Sequence, residues 1–91
     1  MEITFDPLKN QRNIKIRGLS FERVRDFDFE TALFEEDDRH DYGETRYRVF
    51  GFLDGRLHAL VMTEQEKGIR VISLRKAVKV EKKRYEQATN R

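Results

Sequence analysis

The chain has no cysteine. That excludes a disulfide framework and any thiolate-held metal, and it fits a reducing compartment. No apolar run approaches the ~20 residues that a membrane span needs. The opening MEITFDPLKN lacks the charged-then-apolar order of a secretory leader. The expected location is therefore cytoplasmic, with no membrane partner. There is no nucleophile elbow, P-loop or dinucleotide fingerprint, and no linker, repeat or low-complexity segment. The two histidines, His40 in a loop and His58 in a strand, share no motif of the kind that a paired-histidine ribonuclease carries. The acidic run EEDDRHD at 35–41 has neither the ligand spacing nor the glycine of a calcium loop. No metal and no cofactor are expected.

What is present fits one domain, 1–91. A chain of 91 residues can build one core, burying roughly 60–65% of its unfolded surface. Apolar residues make up 37% and charged residues 40%; seven Phe and three Tyr argue against disorder. The net charge is only +2, but it is unevenly placed. Residues 65–91 hold nine Lys/Arg against three Asp/Glu, and residues 31–45 hold one Arg against six carboxylates. An acidic middle and a basic end can attract partners of opposite sign, or pair with each other.

Local signals give the element order. Asp6-Pro7 is a helix start, since Asp accepts from free N–H groups and Pro suits the first helical position. That helix runs from about Pro7 to Ile16, with Gly18 as its left-handed stop. Ser20 caps a second short helix, on which Phe21, Val24 and Phe27 lie three apart. TALFEE is a brief strand and 35–41 an acidic loop. ETRYRVFGFL and RLHALVMTE pair through Asp54-Gly55, the strongest hairpin signal in the chain. Leu57, Ala59 and Val61 share one face. After a turn at 65–68, IRVISLR is the last strand, with Ile72 and Leu74 on the face of Arg70 if no bulge intervenes. From about Val78 to Ala88 the pattern is helical, anchored by Val78, Tyr85 and Val80. The expected fold is α+β: two N-terminal helices, a four-stranded antiparallel sheet and a C-terminal helix, ααββββα.

Two stretches carry chemistry. In IRVISLRKAVKVEKKRY, at 69–85, Arg70 and Arg75 sit on the strand, and Lys76, Lys79, Lys82, Lys83 and Arg84 follow. A guanidinium grips a phosphate through two parallel hydrogen bonds; a lysine adds a point charge. The helix lysines also read as a solvated face paired with Glu81 and Glu86. Strand arginines beside apolar neighbours ask for a reason. In DYGETRYRVFG, at 41–51, Glu44 enters a strand from which Arg46 and Arg48 project on one side. Such a carboxylate can act as a base, orient a guanidinium, or simply form a cross-strand ion pair. Tyr42, Tyr47 and Tyr85 could stack on bases.

These blocks together resemble the BrnT toxins, the ribonuclease half of the BrnT–BrnA type II toxin–antitoxin systems. FDPLKNQRN, with Lys9 and Asn13, is similar to the family's opening. GLSFE is similar to its next block, and DYGETRYRVFG to its Tyr-Gly-Glu-x-Arg segment. IRVISLRKA followed by Glu81 and Tyr85 is the most specific piece. The chain departs where the family often has Lys-His before the glycine (here Ile16-Arg17), where it has Thr or Asn at the start of the last helix (here Val78), and at Met62.

The resemblance implies a RelE-like fold and metal-independent cleavage of RNA that slows translation. It implies a BrnA-like ribbon-helix-helix antitoxin, through which alone the complex would touch operator DNA. The expected catalytic residues are Arg70 and Arg75, as phosphate stabilisers, and Glu44, as base or as the group that orients Arg46. Lys9, Arg46, Lys76 and Tyr85 are expected to contact RNA. The competing reading is a non-catalytic nucleic-acid-binding or protein-interaction module.

Overall fold

The computed structural model describes residues 1–89. Asp6 accepts from the Leu8 N–H and opens helix α1, Pro7–Arg17, which stops at Gly18 with φ 65°. Ser20 accepts from the Glu22 N–H and opens a 3₁₀ helix, Phe21–Asp26. Its apolar residues recur every third position, which matches three residues per turn better than 3.6. Phe21 and Val24 are buried there, and Phe27, already extended, continues the same buried line.

Five strands follow one another in space as β1-β5-β4-β3-β2: β1 Glu2–Phe5, β2 Leu33–Asp37, β3 Arg46–Leu53, β4 Arg56–Gln65 and β5 Gly68–Lys76. Helix α2, Lys79–Thr89, closes the described chain. Asp54 and Gly55 both take positive φ, 53° and 74°, as the two-residue turn between β3 and β4 requires.

The expected ααββββα order with a four-stranded antiparallel sheet is therefore corrected on two counts. The sheet has five strands and is mixed, because Glu2–Phe5 pairs parallel with β5, Ile3 opposite Ile69 and Phe5 opposite Val71. The second N-terminal helix is one 3₁₀ segment rather than an α-helix. Two smaller expectations change as well. Glu35, Glu36 and Asp37 belong to β2, so the acidic loop begins only at Asp38. Val78 and Val80 do not anchor α2, since Val80 is 63% exposed; Tyr85 is the buried residue of that helix.

Each face of the sheet is covered differently. Under the 3₁₀ helix lies the main core, with Val24, Val49, Leu60 and Leu74 fully enclosed and Phe5, Phe21 and Phe27 around them. Under α2, Tyr85 and Ala77 close on Phe50, Leu57 and Ala59, a smaller cluster at the hairpin end of the opposite face. Beyond β1's last residue the edge of β5 is met by α1 instead of a strand. There Asn13 donates to the Leu19 and Leu74 carbonyls, and Asn10 accepts from the Phe21 N–H.

Candidate nucleic-acid interface

A β-bulge decides which side chains share the open half of the α2 face. Val61 pairs with Ser73, but Met62 pairs with Val71, so Ile72 is the extra residue. Without it, strict alternation would put Leu74 beside Arg70. With it, Leu74 joins Val71 in the core, while Arg70, Ser73 and Arg75 emerge together on the other face.

The register then aligns rows across the sheet. Arg46, Thr63 and Arg70 stand side by side on β3, β4 and β5. The next row holds Arg48, Val61 and Ser73, and the one after it Phe50, Ala59 and Arg75. Neighbouring strands lie about 4.8 Å apart, so arginines two strands apart are spaced by about 10 Å at the backbone. α2 covers the last of these rows and leaves the first two half-exposed, apart from the buried Thr63.

Each guanidinium is held differently. Arg70 makes no ion pair and no side-chain hydrogen bond among the described residues, and is half-buried. Arg46 meets Glu44 at 3.2 Å and lies 4.0 Å over the Tyr42 ring. Tyr42 in turn donates to Asp37 at 3.3 Å, and Arg39 grips the same carboxylate at 2.7 and 2.8 Å. This buried Asp37 thus ties down the loop that presents Glu44.

Arg48 is held only loosely. Its nearest carboxylate, on Glu35, is 3.8 Å away and already engaged by Arg84 at 2.6 and 2.7 Å. Its Nε is buried without a partner. Arg48 borders a cavity of about 130 Å³ together with Arg39, Ser73, Arg75 and Glu81. An unpaired buried donor on such a wall is an unspent hydrogen bond.

Arg75 is bound through both terminal nitrogens to Glu81, at 2.7 and 2.9 Å. Glu81 also accepts from the Val78 N–H at 2.9 Å, the reach-back half of a capping box. That bond satisfies the Val78 N–H and is distinct from the one a Thr or Asn side chain at Val78 would accept from the first turn of α2.

Of the residues singled out in the sequence, Glu44, Arg46, Arg70 and Arg75 fall on or beside this face. Lys9 stands on α1 along a cleft at the edge of β5, near Arg12 and Ser73. Lys76 pairs with His58 across the strands and sits on the opposite face from Arg75. Tyr85 is 3% exposed and donates its hydroxyl to the Thr31 carbonyl, so its ring packs α2 onto the sheet and presents no stacking surface. Arg48 was read in the sequence as projecting with Arg46 on one side of the strand, but it was not among the expected site residues.

The carboxylates set an acid limit. Arg39 holds Asp37 far below the usual carboxylate range, with help from the Arg39 N–H and Tyr42. Arg75, then the Val78 N–H, lowers Glu81. A carboxyl depressed by folding stabilises above its unfolded pKa and loses that contribution as pH falls through the folded one. Thermal unfolding should be flat above about pH 4.5 and decline below it. Glu81→Gln should cost about 1–2 kcal/mol at pH 7 and make the acid decline shallower. An unchanged acid limb in that variant would count against the Arg75–Glu81 assignment.

Rows of half-exposed arginines on a sheet, with few free carboxylates among them, make a positively charged surface of the kind that attracts anions. Among the described residues, no three His, Cys, Asp or Glu side chains gather as a metal site, and no helix is long and apolar enough to cross a membrane. The chain belongs to the family described as "Ribonuclease toxin, BrnT, of type II toxin-antitoxin system", whose model matches residues 5–81. RNA as substrate and an antitoxin as partner go with that family. Comparison with curated proteins gives no match.

Proposed function

We propose that the whole chain acts as one cytoplasmic toxin domain that cleaves RNA without a metal ion on the arginine face and thereby inhibits translation. The observation that carries this is the bulge at Ile72, which turns Arg70, Ser73 and Arg75 toward Arg46 and Arg48. A phosphodiester would lie among Arg48, Arg70 and Arg75. Glu44, oriented by Arg46, would take the proton of the ribose 2′-hydroxyl. The 2′-oxygen forms its bond to phosphorus as the bond to the 5′-oxygen breaks, and that oxygen leaves with a proton from water. The products are a 2′,3′-cyclic phosphate and a 5′-hydroxyl end. Cations fixed in place beforehand stabilise the charge that builds on the phosphoryl oxygens.

Lys9, at the edge of β5, would meet the strand as it leaves the face, and Lys76 as it rounds the other end. Tyr85 serves the site by holding α2, and through it Glu81 and Arg75, against the sheet. A BrnA-like ribbon-helix-helix antitoxin would neutralise the toxin and alone contact operator DNA.

Purified chain added to end-labelled RNA in excess chelator should yield fragments ending in cyclic phosphate. Arg75's grip on Glu81 favours a second reading, in which the face binds RNA and cuts nothing. Salt-sensitive retention of intact RNA would decide for it.

A further inference from the structure

A second groove opens where the end of α1, the 3₁₀ helix, the β3–β4 hairpin and the end of β5 meet. It encloses about 640 Å³ and is lined by Arg17, Arg23, Asp54, Arg56, His58 and Lys76, among others. That is the size of a site for a small organic ligand. Arg75 borders both this groove and the cavity on the arginine face, but Leu53 and Lys76 place the groove on the other side of the sheet, so the end of β5 stands between the two.

The groove's charge is unbalanced. Asp54 is spent on Arg23, which binds both its oxygens at 2.8 Å, and Arg75 is spent on Glu81. Arg17, Arg56 and Lys76 have no carboxylate partner among the described residues; Arg17 touches only the Asn13 amide oxygen, at 3.4 Å. Three uncompensated cations around one concavity repel one another and attract an anion.

His58 adds a feature that bare phosphate does not call for. It is 5% exposed, and its Nδ1 lies 2.7 Å from the Arg56 carbonyl oxygen. A carbonyl only accepts, so in the neutral ring Nδ1 carries the proton and Nε2 is the acceptor. Nε2 has no partner among the described residues. An acceptor in a basic groove suits a hydroxyl beside a phosphate, as in a ribose. Leu19 and Leu53 supply apolar wall.

We propose that this groove is a second nucleotide subsite, which holds a phosphate and ribose of the same RNA strand, displaced along the chain from the bond that is cut. The assignment rests on RNA being the ligand of the arginine face, and it takes the RNA strand round the end of β5 from one side of the sheet to the other.

The test uses the full chain with Arg70→Ala as a cleavage-deficient background. A labelled ten-nucleotide RNA spans both sites; a dinucleotide reaches only one. Adding Arg17→Ala and Arg56→Ala should weaken ten-nucleotide binding about tenfold by fluorescence anisotropy. It should also lower the log–log salt slope by about 1.4, two phosphates at about 0.7 each. Dinucleotide affinity should not change, and the melting temperature serves as a folding control. Unchanged affinity and slope for the longer RNA overturn the proposal, as does a loss confined to binding of inorganic phosphate. If the parent chain cuts no RNA but the groove variants still lose binding, the nuclease reading fails and the subsite stands.

Discussion

Arg70→Ala should lower the rate of RNA cleavage by about 10²–10³, the usual cost of removing one well-aimed stabiliser of transition-state charge. The same change should move the melting temperature by no more than about 4 °C. The two expectations separate because Arg70 has no ion pair or side-chain hydrogen bond to lose among the described residues. Arg75→Ala is a poorer probe of chemistry. It also strips Glu81 of its partner and weakens the start of α2, so lost activity there would mix two causes. Arg48→Ala is the better companion, since its Nε has no partner and its ion pair is long. In cells, Arg70→Ala should relieve growth arrest at normal protein level. If Arg70→Ala and Arg48→Ala both cleave at the parent rate, the reaction takes place somewhere other than the arginine face.

Gly68→Ala should be the most damaging small substitution. A Cβ built at this position falls on the Glu2 backbone, nearest its carbonyl oxygen, with the Glu2 nitrogen 2.6 Å away. Backbone in a strand pair cannot step aside as a flexible side chain can, so β1 must shift or detach. Detachment exposes Ile3 and Phe5, which pack on the main core, and breaks the edge ring contact between Phe5 and Phe21. A loss of about 3 kcal/mol, at the top of the overpacking range, is expected. For a domain of this size that means a fall of about 12–24 °C in melting temperature. Hydrogen exchange should show β1 and its partners on β5 opening first. A variant that melts with the parent would mean that β1 contributes little.

The elements legible in the sequence were those whose signal is local. Asp6-Pro7, Gly18, Ser20 and Asp54-Gly55 each act within a few residues, and each stands where its chemistry predicts. β1 was hidden because four residues with one partner strand far along the chain leave no periodicity to count. The bulge was hidden for a related reason. An extra residue in β5 has meaning only against β4, yet it decides that Leu74 is core and that Arg75 shares a face with Arg70. The site followed the same division. Arg46 and Arg70 could be placed on strands, but not side by side. Tyr85 and Val80 read alike as residues of an amphipathic helix, and only the fold separates the buried one from the exposed one. Arg48 could be placed on Arg46's side of the strand, but that Arg84 occupies Glu35 and leaves Arg48 loosely held is a property of the fold alone.

The parallel pairing of β1 with β5 also governs when the sheet can be completed during synthesis. The first strand to leave the ribosome can dock only on the last one, residues 68–76. Until then Arg46 and Arg48 have no counterparts across β4, and Glu81 has not yet been made to hold Arg75. A message broken upstream of β5 therefore yields a fragment that keeps Arg46 and Arg48 but lacks the strand that sets Arg70 and Ser73 in line with them.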